Sequence, residues 1–461
     1  MNLNRRIIIM LVIISLMFLS LIVYLSYFTM FQATETAAKP LNRRITGYEE
    51  NIVRGSILDR NGAILAVSPD KTSRLYPYKN LYSHVIGYNS LIYQKSRLEA
   101  QYNDFLNGKD EIATLFNFIT PEYGFDLQLT IDHELQQLAH DQLGNRNGAI
   151  VALDPNTGEI LAMVSKPDFD PNDSALESNW SALTENESSP LLSRTTGGLY
   201  APGSVFKIIT SAAAIEKGLE KQIFNDTGTL NVGGKEFKNA GGVAHGKLTL
   251  KEAFAKSSNY AFCTLGTQLA DSELRTMSEK FGFNKPQNFD LSTETSVFPE
   301  KNMTDTDRAA SAIGQWEILA TPLQMAVVGS IIANGGNEVT PYLLDNAVTR
   351  SSGTVFKHYQ EAELNRVISQ TTANTIRDMM IETVKSGTGR NAAINGITVA
   401  GKTGTSENER KNQNHAWFVC FAPAENPKIA LAIVLEYSGG SGGDLAAPIA
   451  KRIMEKWLTG K

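Results

Sequence analysis

Three short motifs place hydroxyls and amines at spacings suited to acyl transfer through serine. Ser204-Val205-Phe206-Lys207 is S-x-x-K, Ser257-Ser258-Asn259 is S-x-N, and Lys402-Thr403-Gly404 is K-T-G, running on into Thr405. A serine hydroxyl is a weak nucleophile at neutral pH and needs a base within reach. Three residues apart on a helix, Ser204 and Lys207 share a face, so the amine can take the hydroxyl proton. Lysine does this only when its pKa falls, and desolvation or a neighbouring cation, here Lys402, pushes it that way. Pro202-Gly203 sets Ser204 at a helix start, where backbone N–H groups point outward and can stabilise an oxyanion.

Each motif alone is weak. Ser68-Pro69-Asp70-Lys71 also fits S-x-x-K, but its proline in a polar stretch reads as a surface loop, and Ser406-Glu407-Asn408 repeats S-x-N directly after K-T-G. The specificity lies in the combination. Tyr200-Ala201-Pro202-Gly203 leads into Ser204, Ala400-Gly401 leads into Lys402, and an S-x-N falls between them.

The elements that must hold these residues can be read from periodicity. Ser204 to Glu216 predicts an amphipathic helix with Gly218 as its C-cap. Gly148–Leu153 and Glu159–Ser165 flank the turn Asp154-Pro155-Asn156-Thr157-Gly158 and predict a hairpin. Val399–Thr405, Ala416–Ala422 and Ile429–Tyr437 predict three successive antiparallel strands. Gly439-Gly440-Ser441-Gly442-Gly443 reads as flexible, and Ala446–Leu458 as a final helix. Further forward, Asn51–Ala66 predicts two short strands around Asn61-Gly62, and Leu98–Leu106 one helix. Apolar periodicity over 45–125 is too thin for a large core of its own.

The chain has 461 residues, 42% hydrophobic and 20% charged, with a formal net charge of −5. That length suggests more than one domain. The acidic balance, with no long basic run, argues against nucleic-acid binding. Scattered histidines without H-E-x-x-H argue against zinc, and no cofactor is expected. Two cysteines, Cys263 and Cys420, read as buried thiols, with one bridge possible in an exported domain. Ile7–Phe28 is almost wholly apolar and long enough to cross a bilayer as a helix. Arg5 and Arg6 before it favour an inside N-terminus. Retention as an anchor is expected, because no small-x-small cleavage site follows closely. The division expected is a tail at 1–6, an anchor at 7–28, a linker and pedestal at 29–125 (with 33–41 as juxtamembrane linker), and a catalytic domain at 126–461.

With these motifs the chain resembles the class B penicillin-binding proteins, since S-x-x-K with S-x-N and K-T-G is the signature shared by penicillin-binding proteins and class A β-lactamases. Arg54–Gly62, Asp132-His133-Glu134-Leu135-Gln136, Gly314-Gln315, Thr321–Ala326, Gly387-Thr388-Gly389 and Trp417-Phe418-Val419 strengthen the likeness. The resemblance implies an α/β (α+β) fold of the penicillin-binding transpeptidase and serine β-lactamase type. Its antiparallel sheet would be covered by helices, with a short N-terminal pedestal and one transmembrane helix. It implies a peptidoglycan D,D-transpeptidase that crosslinks stem peptides outside the cytoplasmic membrane and is acylated by β-lactam antibiotics. Ser204 would be the nucleophile and Lys207 its base. Ser257 would relay a proton to the leaving amine, poised by Lys402, and Asn259 would bind the donor amide. Thr403 and Thr405, around Gly404, would hold the substrate carboxylate, and the N–H groups of Ser204 and Thr405 would form the oxyanion hole. A separate glycosyltransferase of the shape, elongation, division and sporulation family is the implied partner. Trp316 stands where the family suggests a smaller residue. His415 is expected at a strand end, on the surface or on the rim of the site, and Trp417 and Phe418 in the core. A β-lactam sensor, a β-lactamase or carboxypeptidase, and a scaffold are the alternatives. The very short tail before Ile7, the pedestal and the intact motif triplet argue against them.

Overall fold

The computed structural model describes residues 3–27, 52–108, 122–350, 355–357, 364–406 and 413–460. The expected linker at 33–41 lies outside them.

The catalytic half is built on a five-stranded antiparallel sheet. Its strands run Ala400–Ser406, His415–Ala422, Ile429–Leu435, Gly148–Leu153 and Ile160–Lys166, in that order across the sheet. Side chains alternate between faces along a strand, and here both faces are apolar. Trp417, Val419 and Phe421 point into one core, while Phe418, Cys420 and Ala422 point into the other. Helices His133–Leu143 and Gly442–Thr459 cover the second face. The first face carries Lys207–Glu216, Asn259–Gln268, Pro322–Ala333 and much of Gln370–Lys385. This is the expected sheet covered by helices, with mixed α/β content.

Three local expectations are corrected. The segment after Pro202 is not one amphipathic helix. It opens as a 3₁₀ turn, Gly203–Phe206, and continues as Lys207–Glu216, in which every residue from Lys207 to Ala214 is buried. The small residues Ala212, Ala213 and Ala214 let neighbouring helices close around it on all sides. Its end is as expected: Gly218 has φ +82°, the Gly218 N–H bonds the Ile215 carbonyl, and the Leu219 N–H bonds that of Ala214, a Schellman cap. Gly442 and Gly443 are the buried first turn of the last helix rather than flexible chain, with Ser441 as N-cap accepting from the Asp444 N–H. A Cβ on Gly442 would stand 1.9 Å from the Trp417 carbonyl. Leu98–Leu106 is two short helices, Arg97–Gln101 and Asn103–Leu106.

The pedestal strands Ile57–Leu58 and Ile64–Ala66 pair around a turn in which Asp59 Oδ1 accepts from the N–H groups of Asn61 and Ala63. They join a second sheet with Phe125–Leu129, Leu344–Thr349 and Val355–Lys357. That sheet draws strands from both sides of residue 125. The pedestal core residues Leu65, Tyr82, Ile86, Leu98 and Leu106 are continuous with the catalytic core, which is why the segment carries so little apolar periodicity of its own. The Ser68-Pro69-Asp70-Lys71 look-alike is a bend in which Ser68 is buried beside Arg74, and Asp70 accepts from Thr72 and Ser73.

The N-terminal helix Leu3–Tyr27 exposes its apolar side chains over 8–24. Among the described residues no helix is long and apolar enough to cross a membrane.

Candidate active site

The K-T-G strand Ala400–Ser406 lies at the edge of the main sheet, paired on one side only, with His415–Ala422. An edge strand offers open peptide groups along its free side. The turn carrying Ser204 packs against it. Gly203 has φ +56°, and a Cβ there would come within 2.7 Å of the Thr405 carbonyl oxygen. A Cβ on Gly404 would meet Trp417 at 2.8 Å and the Pro202 carbonyl oxygen at 3.0 Å. Both glycines are therefore needed to bring the serine turn and the strand together. The Trp417 indole donates to the Ala201 carbonyl at 3.1 Å and fixes the same loop from the core side. The 3₁₀ geometry has three residues per turn, which eclipses i and i+3 and stacks Ser204 over Lys207 more directly than an α-helix would.

A cleft of about 810 Å³ opens along this edge. Ser204, Ser257, Asn259, Thr403 and Thr405 line it, with Gln315 and Trp316, residues 235–241, and Thr388. Lys207 and Lys402 lie beneath its floor, each fully buried. The three motifs, far apart in the chain, thus converge. A second cavity of about 470 Å³, between the pedestal and residues 169–292, holds none of them.

Ser257 joins the two lysines. Its Oγ is 2.9 Å from Lys402 Nζ and 3.3 Å from Lys207 Nζ. Lys207 also donates to the Ser257 carbonyl at 2.8 Å and to Asn259 Oδ1 at 2.8 Å, and Lys402 to the Thr403 carbonyl at 3.0 Å. None of the hydrogen bonds of Lys207 goes to Ser204. Burial drives the Lys207 pKa down to about 7, only partly opposed by Cys263 and Asp226. Burial, and then the charge of Lys207, push Lys402 well below the ordinary lysine range. A neutral amine keeps two N–H groups and one lone pair. The Ser257 carbonyl and Asn259 Oδ1 can only accept, so they take both N–H groups of a neutral Lys207. The lone pair is then left for a hydroxyl proton.

Thr388 was named from sequence only within the family-like string Gly387-Thr388-Gly389, and Glu436 was not singled out at all. Thr388 Oγ1 lies 2.6 Å from Thr403 Oγ1 and sets its rotamer; its flanking Gly387 and Gly389 were the available signal. Glu436 accepts from Tyr200 Oη at 2.5 Å and from Arg194 Nε at 2.9 Å, bracing the loop that enters the serine turn. His415 is corrected: it begins its strand but is buried, with Nδ1 accepting from the Tyr437 N–H and its ring against Tyr200 and Tyr437. Burial lowers its pKa against the opposing charge of Glu436. Trp417 and Phe418 are core, as expected. Trp316 lines the cleft with φ +70°, its ring 5.0 Å from Lys301 Nζ. Cys263 and Cys420 are both buried and free, so the possible bridge is absent. Among the described residues no cluster of potential metal ligands occurs.

The sequence over 148–455 matches the penicillin-binding protein transpeptidase domain, and 54–121 matches the penicillin-binding protein A dimerisation domain. The peptidoglycan D,D-transpeptidase PbpA of Mycolicibacterium smegmatis is 36% identical, over 91% of this chain and 92% of that one. Stage V sporulation protein D of Bacillus subtilis is 31% identical over 91% of this chain and 68% of its own length. The ceftriaxone acyl-enzyme complex of penicillin-binding protein A from M. tuberculosis superposes with a TM-score of 0.82 at 32% identity, covering 89% of this chain and 99% of that one.

Proposed function

We propose that this chain, which belongs to the class B penicillin-binding proteins and is a serine peptidoglycan D,D-transpeptidase, works through an acyl ester on Ser204. The observation that carries the assignment is the position of Ser204, in the cleft wall one 3₁₀ turn above a buried lysine whose pKa sits near neutrality. Lys207 takes the Ser204 proton as Oγ attacks the donor carbonyl. The amide C–N bond breaks, and the leaving D-alanine amine receives a proton through Ser257, which lies between both lysines. The acceptor amine then attacks the ester, Ser204 regains its proton, and the crosslinking amide forms. Lys402 supplies the positive potential behind Ser257. Thr403 and Thr405, on the open edge beside Gly404, hold the substrate carboxylate, and the N–H groups of Ser204 and Thr405 face the oxyanion. Asn259, whose Oδ1 is engaged by Lys207 and whose Nδ2 donates to the Lys238 carbonyl, keeps one amide N–H for the donor peptide.

The apolar segment 7–28 is proposed to be a single membrane anchor with residues 1–6 inside and the catalytic domain outside. The support is that Leu3–Tyr27 is one continuous helix containing most of the apolar run of the sequence. Phe18 and Met10 leave 63% and 66% of their surface uncovered, as a lipid-facing helix would. Residues 29–125 are proposed to serve as pedestal and partner surface, and 126–461 as the transpeptidase domain. The glycan strands would come from a separate membrane glycosyltransferase of the shape, elongation, division and sporulation family.

The test is labelling with a fluorescent penicillin followed by peptide mapping. The adduct is expected on the Ser204 peptide alone, and Ser204→Ala should abolish it. A label on Ser68, or labelling that survives Ser204→Ala, overturns the assignment.

A further inference from the structure

Behind the S-x-N turn lies a carboxylate outside all three motifs. Asp226 ends the short strand Ile223–Asp226 and is buried at 2% exposure. Its Oδ2 accepts from Ser258 Oγ at 2.7 Å, its Oδ1 accepts from the Gly228 N–H at 2.7 Å, and Asn239 Nδ2 lies 2.9 Å from both oxygens. Each partner leads to the cleft. Ser258 Oγ accepts from the Ala261 N–H and so caps the helix Asn259–Gln268. Asn239 Oδ1 accepts from the Tyr260 N–H, and its own N–H bonds the Gly228 carbonyl at the base of the hairpin Thr229–Lys238. That hairpin walls the cleft, and Asn259 Nδ2 donates to its Lys238 carbonyl at 2.7 Å. Between these anchors Ser257 is held at φ +57°. This is a left-handed conformation that is strained for a serine and persists only where the surroundings over-determine it.

We propose that Asp226 is the positioning residue of the Ser257–Asn259 turn, locking that turn and the hairpin wall into one geometry and placing a negative charge behind the turn whose Ser257 carbonyl and Asn259 Oδ1 bond Lys207. This rests on the reading of Lys207 as general base. Among the groups facing Lys207, Lys402 projects from the K-T-G strand, and the Cys263 thiol from the helix Asn259–Gln268 is pushed up to about 12 by burial and is neutral. Asp226 is held low: burial opposes ionisation, but the hydrogen bonds from Ser258, Asn239 and Gly228 outweigh it, with His245 adding a weaker pull. Asp226 is therefore the anion that favours the protonated form of Lys207.

The experiment compares second-order acylation rates by a fluorescent penicillin across neutral pH in the anchored protein, Asp226→Asn and Ser258→Ala, each normalised to the folded fraction. Hydrogen bonds to a buried charge contribute ~1.5–3 kcal/mol, so Asp226→Asn should lose roughly tenfold to a hundredfold in rate. Its acid limb should also move to lower pH, because the anion that favours protonated Lys207 is gone. Ser258→Ala keeps the charge and should slow acylation with the limb unmoved. A rate within twofold of wild type in either variant overturns the positioning role. A slowed Asp226→Asn with an unmoved limb overturns the electrostatic half. If Asp226→Asn does not fold, Ser258→Ala decides, since loss of one N-cap side chain is a small cost to the fold. A wild-type profile with no acid limb would instead refute Lys207 as base, and the two variant rates would still judge the positioning role.

Discussion

The pedestal and the active site both bury charge-bearing side chains, and they treat them in opposite ways. In the pedestal Glu99 is fully buried between two guanidiniums, 2.7 Å from Arg54 and 2.6 Å from Arg74. Arg54 is satisfied further by Asn103 and Asn107, and Arg74 by the Gly55 carbonyl. Burial pushes the Glu99 carboxyl upward, yet the two guanidiniums outweigh it and hold it below its ordinary value. In the active site Lys207 and Lys402 are as deeply buried but face each other across Ser257, and among the described residues no carboxylate lies within ion-pair distance of either. Both are driven down. Equal burial thus gives a charged group in one region and a titratable one in the other; what decides is whether opposite charges in direct contact outweigh the desolvation. The first arrangement suits rigidity, and the second suits proton transfer at neutral pH.

The contrast breaks most visibly at Lys207. If the amine acts as a base, Lys207→Arg should be as damaging as Lys207→Ala, since arginine keeps charge but does not deprotonate. Acylation should fall by roughly 10²–10⁴, measured by stopped-flow labelling. A Lys207→Arg rate within tenfold of wild type would mean that charge alone is needed.

Next in size is the pedestal. Glu99→Gln leaves two buried guanidiniums facing a neutral amide, and removing one partner of a buried ion pair costs about 3–5 kcal/mol. Urea unfolding should register that loss, while the folded fraction should acylate at the wild-type rate. Because the folded pKa of Glu99 is depressed, its stabilisation is present above the unfolded value and is lost as pH falls through the folded one. Acid should therefore erode the difference between Glu99→Gln and wild type.

At Lys207 the pH slope has the same sign, but the substitution changes stability in the opposite direction. Its pKa falls from 10.5 to about 7 on folding. Between those values the unfolded chain binds more protons, so wild-type stability rises with pH across that window. Lys207→Met fills similar space without that penalty, and should be more stable by about 1–2 kcal/mol near pH 7.5 while failing to acylate. Its advantage should shrink as pH climbs toward 10. A stability gap constant with pH would show that Lys207 is not neutralised by folding.

The same contrast explains what was legible in the sequence. The chemistry was, because S-x-x-K, S-x-N and K-T-G are local strings, and two of them sit at element boundaries marked by glycine. The main sheet was too, since Ala416–Ala422 and Ile429–Leu435 are apolar on both faces. What escaped was non-local. Nothing in Asp226, Thr388 or Glu99 announces a partner tens or hundreds of residues away. The helix after Ser204 was misread because its lysine, threonine and serine suggest a solvent face, whereas Lys207, Thr210 and Ser211 are all buried. The pedestal was underestimated because its apolar residues complete a core supplied mainly by another part of the chain.

The smallest effect asks what joins the two regions. Arg60, in the pedestal turn, reaches Glu159 beside the catalytic sheet at 2.8 Å, and its guanidinium lies 5.6 Å from the Trp457 ring centroid. The pair is part-exposed, at 29% and 24% side-chain accessibility. Such pairs contribute little, because water and salt screen them and two long side chains must be ordered. The apolar alternative is extensive: Leu127, Leu129 and Ile131 continue the pedestal core into that of the catalytic half without a break. A double-mutant cycle of Arg60→Ala and Glu159→Ala should give a coupling of about 0.2–1 kcal/mol, diminished in high salt. A coupling of several kcal/mol that ignores salt would make this contact a second buried-type ion pair. The junction would then be held by matched charge, as around Glu99, and not by the shared core.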